Sequence, residues 1–246
     1  MKITQAYVSE SVSDFPFLEA LSLTGYVDSS RPCLFIGCYS QEDFDIILNH
    51  KSDKIILWCG QDALTAIFMG WVNFLSDCKH ITWMVNVQKA LKSFVNIKLV
   101  NPVFLGGKFS VTPLGKKVFA YCPQSHPSYH NEKLIREVEK EIGVEVVIGD
   151  GTTPQEVWLN GEGDKIYDEC FIGMCLSGFA GGGQTTIQLG LKGRKVITNV
   201  MELPNVINWR DSADVIEKIQ KEIPTVHSVN NLLAKDVMDV INNTGL

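Results

Sequence analysis

Leu176-Ser-Gly-Phe-Ala-Gly-Gly-Gly-Gln-Thr-Thr-Ile-Gln-Leu-Gly-Leu-Lys-Gly-Arg-Lys-Val-Ile-Thr198 decides how this chain of 246 residues is read. The apolar run Glu169-Cys-Phe-Ile-Gly-Met-Cys-Leu176 leads into it as a strand. Gly181-Gly-Gly-Gln-Thr-Thr186 then forms a loop, a helix runs from about Thr185 to Leu191, and Lys195-Val-Ile-Thr198 is again strand. Such a loop suits phosphate, because a helix N-terminus leaves backbone N–H groups unpaired and carries a favourable dipole. The glycines Gly181, Gly182 and Gly183 admit close backbone approach and positive φ. Gln184, Thr185 and Thr186 add side-chain donors. Taken alone, three glycines serve a flexible turn equally well. No Gly-Lys-Ser/Thr follows, which argues against a P-loop ATPase or kinase. The dinucleotide fingerprint also fits poorly: the loop lies past the midpoint, and no acidic residue ends a strand about 20 residues later.

Outward from this stretch, short apolar runs alternate with helical spacing. In the first half, Cys33-Leu-Phe-Ile-Gly37, Lys54-Ile-Ile-Leu-Trp58, Ile81-Thr-Trp-Met-Val85 and Ile97-Lys-Leu-Val100 read as strands. Helices are expected over Glu42 to Asn49, Ala63 to Ser76 and Val87 to Phe94. A Pro/Gly-rich break, Asn101-Pro-Val-Phe-Leu-Gly-Gly107 through Pro113-Leu-Gly115, separates this series from a second one. There Lys117-Val-Phe-Ala-Tyr-Cys122 and Glu145-Val-Val-Ile-Gly149 are strands, and Asn131 to Ile142 is a helix stopped by Gly143. A short helix is expected over Thr153 to Trp158, and terminal helices over Ala213 to Ile223 and Val229 to Asn242. Alternating strands and helices imply parallel sheets covered on both faces. The expected architecture is α/β, with two Rossmann-like domains facing each other across a cleft, over residues 1–112 and 113–246. The last helix is a candidate to pack back on the first domain. One doubly wound sheet is the alternative.

Composition sets bounds on function. Hydrophobic residues are 45% and charged residues 20%, enough apolar content for a sizeable core. The net charge is -6 and Lys and Arg form no run, so a nucleic-acid partner is not expected. No stretch of about 18 apolar residues exists, so no membrane span is expected. Met1-Lys-Ile-Thr-Gln-Ala-Tyr7 lacks the apolar region of a signal peptide. The seven cysteines are odd in number and form no CxxC pair, which reads as reduced thiols in a cytoplasmic protein.

The run from Phe171 to Asn199 resembles the donor-site signature of GT-B glycosyltransferases. The parts that carry the resemblance are Gly181 to Gly183, Thr185 and Thr186, Leu189 to Leu191, Gly193, and Lys195 to Thr198. Val118-Phe-Ala-Tyr-Cys-Pro123 with Tyr129 looks like the first strand and loop of the nucleotide-binding half. Ile148-Gly-Asp150 looks like the strand end that flanks the base, and Trp58-Cys-Gly-Gln-Asp62 is similar to an element of the acceptor half. The chain thus looks like a relative of the small GT-B enzymes that large DNA viruses and bacteria use for surface glycans. The resemblance implies a nucleotide-sugar donor (UDP-, GDP- or dTDP-linked), a glycan acceptor, no cofactor and no obligate metal. Retaining members of the commonest such family carry two glutamates, and the matching positions here are Ala180 and Gln188. Gln188 can still hydrogen-bond ribose hydroxyls, without charge assistance. The departure points towards inversion.

An inverting transfer needs a general base and stabilisation of the departing diphosphate. Asp62, after a strand end, and Asp14, in Ser9-Glu-Ser-Val-Ser-Asp14, are the candidate bases; a helix cap and a solvated loop are their structural alternatives. Glu42 and Asp43 are explained by a helix start. Ser125, His126, Tyr129, Gly149 and Asp150 join the glycine loop as candidate donor contacts. His126 and His130 could form a zinc pair, but Pro127 opposes helical spacing between them. Arg194 and Lys195 read as solvated charge, and Trp58, Trp71 and Trp83 as sugar platforms or core. A nucleotide-sugar epimerase, a non-catalytic nucleotide-binding module and an NAD-linked enzyme remain alternatives.

Overall fold

Apolar content on both faces of the strands sets the architecture of this computed structural model, which describes residues 2–107, 109–150, 165–224 and 229–243. All four residues of Cys33–Ile36 are buried, as are all five of Cys170–Met174, the pattern of strands covered by helices on either side. The chain divides into two compact units, Met1–Gly106 with Thr244–Leu246, and Gly107–Asn243. The division thus falls inside the Pro/Gly break, before the expected 112/113.

The first unit holds β1 (Gln5–Val8), α1 (Phe17–Ala20), β2 (Thr24–Gly25), β3 (Cys33–Ile36), α2 (Gln41–Asn49), β4 (Lys54–Leu57), α3 (Gln61–Phe68), β5 (Lys79–Thr82), α4 (Val85–Leu91) and β6 (Ile97–Leu99). Its strands form one six-stranded sheet in the order β2-β1-β3-β4-β5-β6, parallel throughout. The second unit holds β7 (Lys117–Tyr121), α5 (Glu132–Ile142), β8 (Val146–Gly149), α6 (Lys165–Asp168), β9 (Cys170–Met174), α7 (Gly183–Leu191), β10 (Lys195–Ile197), β11 (Val206–Ile207), α8 (Ser212–Glu222) and α9 (Asn231–Asn242). Its sheet is five-stranded and parallel, ordered β11-β10-β9-β7-β8, with β9 at the centre. The single-sheet alternative is therefore excluded.

Several local expectations change. The helix expected over Ala63 to Ser76 ends at Phe68, because Gly70 turns left-handed at φ 72° and Trp71–Phe74 continues as a 3-10 turn. Strands β1, β2 and β11 were not foreseen. The helix expected over Thr153 to Trp158 lies outside the described residues. The last helix, α9, packs on α7 within its own unit.

Helix α7 is buried along its whole length except Gln184. Leu189 faces Gly173 of β9 on one side, and Val237 of α9 faces Gly190 on the other. Helix α5 instead buries only Ile135, Val138 and Ile142, one stripe of an amphipathic helix.

Arg194 corrects its expected role as solvated charge: it is fully buried. Its guanidinium donates to the carbonyls of Cys170 at 3.2 Å, Thr112 at 2.9 Å and Pro113 at 2.7 Å, and also to that of Lys192. Asp168 accepts from Thr112 Oγ1 at 2.6 Å and pairs with the buried Lys192. The start of the second unit is thereby fastened to the amino end of β9. Lys195 pairs with Glu222 at 2.7 Å. Trp58, Trp71 and Trp83 are all buried, which makes them core.

Candidate functional site

The second sheet presents three loops side by side at its carboxyl edge: the glycine loop after β9, the Pro123–Asn131 segment after β7, and Gly149–Asp150 at the end of β8. Carboxyl edges are where open α/β sheets take ligands, because helix N-termini point there.

The glycine loop is shaped by two residues that need positive φ. Gly181 lies at φ 109° and Gly182, which caps α7, at φ 73°. A Cβ on Gly182 would stand 2.8 Å from Cys175 Sγ and 3.2 Å from Tyr121 Cδ1. Gly182 is thus required by the packing beneath the loop, rather than only by the space above it. Thr186 turns its hydroxyl back to the Gly182 carbonyl at 2.8 Å, and both Thr185 and Thr186 are buried. Gln188 faces inward as well: its Oε1 accepts from Tyr167 at 3.0 Å. Gly183 opens the helix, and Gln184 is half-buried.

Three consecutive residues of the neighbouring loop brace this turn. The Tyr129 hydroxyl accepts from Ala180 N at 2.9 Å. The His130 ring lies against Gly181, with Cε1 2.7 Å from where a Cβ would be. Asn131, itself left-handed at φ 56°, donates from Nδ2 to the Leu176 carbonyl. Tyr121 and Tyr129 meet the His130 ring edge-on, with centroids 5.1 and 5.0 Å away. Burial, then the nearby His126, lowers the His130 pKa to about 4, so the imidazole is neutral near pH 7. The sequence had placed His130 only as a partner for His126 in a zinc pair. Its packing on Gly181 was the missed contact, and its proximity to Tyr129 was the signal.

Ser125 and His126 are exposed at the outer side of this loop. Asp150 accepts from Gln124 Nε2 at 3.0 Å, which ties the β8 end to the β7 loop. Between them and the first turn of α5 lies a cavity of about 400 Å³, lined by Cys122, Gln124, Pro127, Arg136, Ile148 and Asp150 among others. Gly149 is held tight to the sheet, since a Cβ there would meet Phe119 at 2.4 Å.

In the first unit the two candidate bases differ sharply. Asp62 is fully buried, and its oxygens accept from the backbone N–H groups of Gly60 at 2.7 Å, Ala63 at 3.0 Å, Cys59 at 3.1 Å and Cys38 at 3.3 Å. Burial raises its pKa to about 6 against the lowering by those donors. This carboxylate ties the β3 and β4 ends together and offers no oxygen to an acceptor hydroxyl, so its geometry is that of a structural tie and not of a base. Asp43 does similar work: it takes Tyr7 and Ser9 hydroxyls, each at 2.8 Å, and closes a capping box with Ser40. Asp14 is exposed on the segment that follows β1.

Among the described residues no group of three or more His, Cys, Asp or Glu side chains could hold a metal ion. No described helix is long and apolar enough to cross a membrane.

No protein family and no curated protein matches this chain in sequence. Solved structures do match it. TarM superposes with a TM-score of 0.57 at 15% identity over 93% of this chain. A sucrose-phosphate synthase from Thermosynechococcus elongatus gives 0.61 at 10% identity, covering 85% of this chain and 69% of that one. An S. aureus TarM variant in complex with fondaparinux, alpha-GlcNAc-glycerol and UDP gives 0.50 at 15% identity, over 93% of this chain and 51% of that one. The chain spans about half the length of TarM, 53%. It has the fold of these proteins, the GT-B fold.

Proposed function

We propose that this chain is a glycosyltransferase that moves a sugar from a nucleotide-sugar donor (UDP-, GDP- or dTDP-linked) to a glycan hydroxyl. The observation that carries this reading is the placement of Gly181, Gly182 and Gly183 at the carboxyl end of the central strand β9, opening into the N-terminus of α7. Backbone N–H groups and the helix dipole there offset the charge of a diphosphate. In this reading Gln184 flanks the phosphates and Tyr129 holds the loop that takes them, with Ser125 and His126 at the rim. The nucleoside extends towards Gly149 and Asp150, beside the cavity under α5. UDP is part of one complex of the same fold, which makes it the first nucleotide to try.

The transfer is proposed as inverting and metal-independent. The acceptor oxygen bonds to the anomeric carbon as the bond to the diphosphate breaks, and a carboxylate takes the hydroxyl proton. Asp14, the exposed candidate, is proposed as that base. Ala180 and the inward-facing Gln188 support inversion, since neither supplies the acid of a retaining pair. Seven unpaired cysteines fit a reducing compartment such as the cytoplasm.

Titration with UDP, GDP and dTDP tests the reading, and no binding up to millimolar concentration rejects it. Turnover of the bound donor with an acceptor present, and none in its absence, separates a transferase from an epimerase. A nucleotide-binding module without turnover is the second reading, favoured by the enclosure of Asp62; binding without turnover across donor and acceptor panels would establish it.

A further inference from the structure

His130 is 6% exposed, and its Nδ1 is a buried atom without a hydrogen-bond partner. A lone pair left unpaired is the less costly form of such an orphan, since a buried N–H without an acceptor is the rarer case. The proton therefore belongs on Nε2. The ring edge lies on Gly181, with Nδ1 3.5 Å and Nε2 3.7 Å from its Cβ position, and of the two nitrogens only Nδ1 is a buried atom without a partner. A second buried orphan stands in the same loop: Ser177 Oγ, on a residue 3% exposed, next to the Leu176 carbonyl that Asn131 holds.

We propose that His130 Nε2–H donates a hydrogen bond to a phosphate oxygen of the bound nucleoside diphosphate, with Tyr129 and Asn131 fixing the ring against Gly181. This inference rests on the donor reading above and names a contact within it. Tyr129, whose hydroxyl is engaged by Ala180, holds the loop while its neighbour meets the ligand. The groups that face the ring are Tyr121 from β7, Tyr129 and His126 from its own loop, and the backbone of Gly181. Burial keeps the imidazole neutral, so the bond is that of a neutral donor to an anion.

Calorimetric titration of the full chain with UDP and GDP, and with uridine and guanosine, tests this. His130→Phe keeps a ring and loses the N–H; His130→Gln keeps an N–H donor. The expected result is a loss of about tenfold or more in diphosphate affinity for His130→Phe, with nucleoside affinity unchanged and His130→Gln close to wild type. Equal losses for nucleoside and diphosphate, or diphosphate binding by His130→Phe within about twofold of wild type, would overturn the contact. If His130→Phe does not fold, a folded His130→Gln protein that binds diphosphate about tenfold more weakly than wild type would overturn it too, since its amide keeps an N–H donor. Failure of the donor reading itself shows differently, as wild-type protein that binds neither UDP nor GDP.

Discussion

The hydroxyl of Tyr129 accepts a hydrogen bond from the backbone N–H of Ala180 at 2.9 Å, joining two loops that are 51 residues apart in sequence. Ala180 is buried, so removing the acceptor leaves its N–H without a partner. Tyr129→Phe should cost about 1–3 kcal/mol of stability and weaken nucleoside diphosphate binding, as seen by urea denaturation and titration. Unchanged stability would mean that the loop holds its shape without this bond.

Gly182 and Gly178 form a matched pair of tests in one loop. An alanine at 182 would sit at φ 73° with its Cβ 2.8 Å from Cys175 Sγ. The left-handed backbone alone costs about 1–2 kcal/mol, and the thiol must also move. Nothing lies within 4 Å of a Cβ on Gly178. Gly182→Ala should therefore lose stability and nucleotide binding, while Gly178→Ala keeps both. Equal behaviour of the two variants in thermal melts would contradict the packing argument.

Asp62→Asn separates a tie from a base. An amide nitrogen would face backbone N–H groups that now share a carboxylate, so about 2–4 kcal/mol of stability should be lost. Asp14→Asn should leave stability and donor binding intact while transfer to an acceptor stops. A stable Asp62→Asn protein that binds donor without turning it over would restore Asp62 as the base.

Acid should act through His130. Its folded pKa of about 4 lies below the ordinary value of 6.5. Between those values the unfolded chain takes a proton that the folded chain refuses, so stability is full above 6.5 and falls as pH drops towards 4. Urea midpoints of wild type and His130→Gln should diverge at pH 7 and converge near pH 4.5, because the variant lacks this acid loss. Parallel curves would place the acid sensitivity elsewhere.

Arg194→Met should unfold the second unit more easily without touching the loop chemistry. It strips the carbonyls of Thr112, Pro113 and Cys170 of a shared donor, at about 2–4 kcal/mol in total. Denaturation midpoints should fall while diphosphate affinity measured well below the transition stays the same.

The strands with uninterrupted apolar runs were legible because a strand buried on both faces advertises itself. Strand β1 was hidden by Gln5 and Tyr7, whose polar ends are satisfied far along the chain. Gln5 Nε2 donates to the Asp28 carbonyl at 2.6 Å, and Tyr7 reaches Asp43. The break at Gly70 was masked because apolar spacing continues through Trp71 and Val72 into the 3-10 turn. The glycine loop could be read since its residue types match its backbone needs. Its bracing by Tyr129, His130 and Asn131 depends on β7 and β9 being neighbours, which no local spacing states. Asp62 read equally well as cap or base, and only its four backbone donors decide between them.

The grip of Arg194 on Thr112 and Pro113 also says where the polypeptide can be severed. A fragment starting at residue 113 would forfeit the Thr112 carbonyl and hydroxyl and leave Arg194 and Asp168 each short of a partner. One starting at Gly107 keeps the whole fastening. Dissection of the two halves, or exchange of the second half onto another protein of this fold, should therefore use the earlier junction.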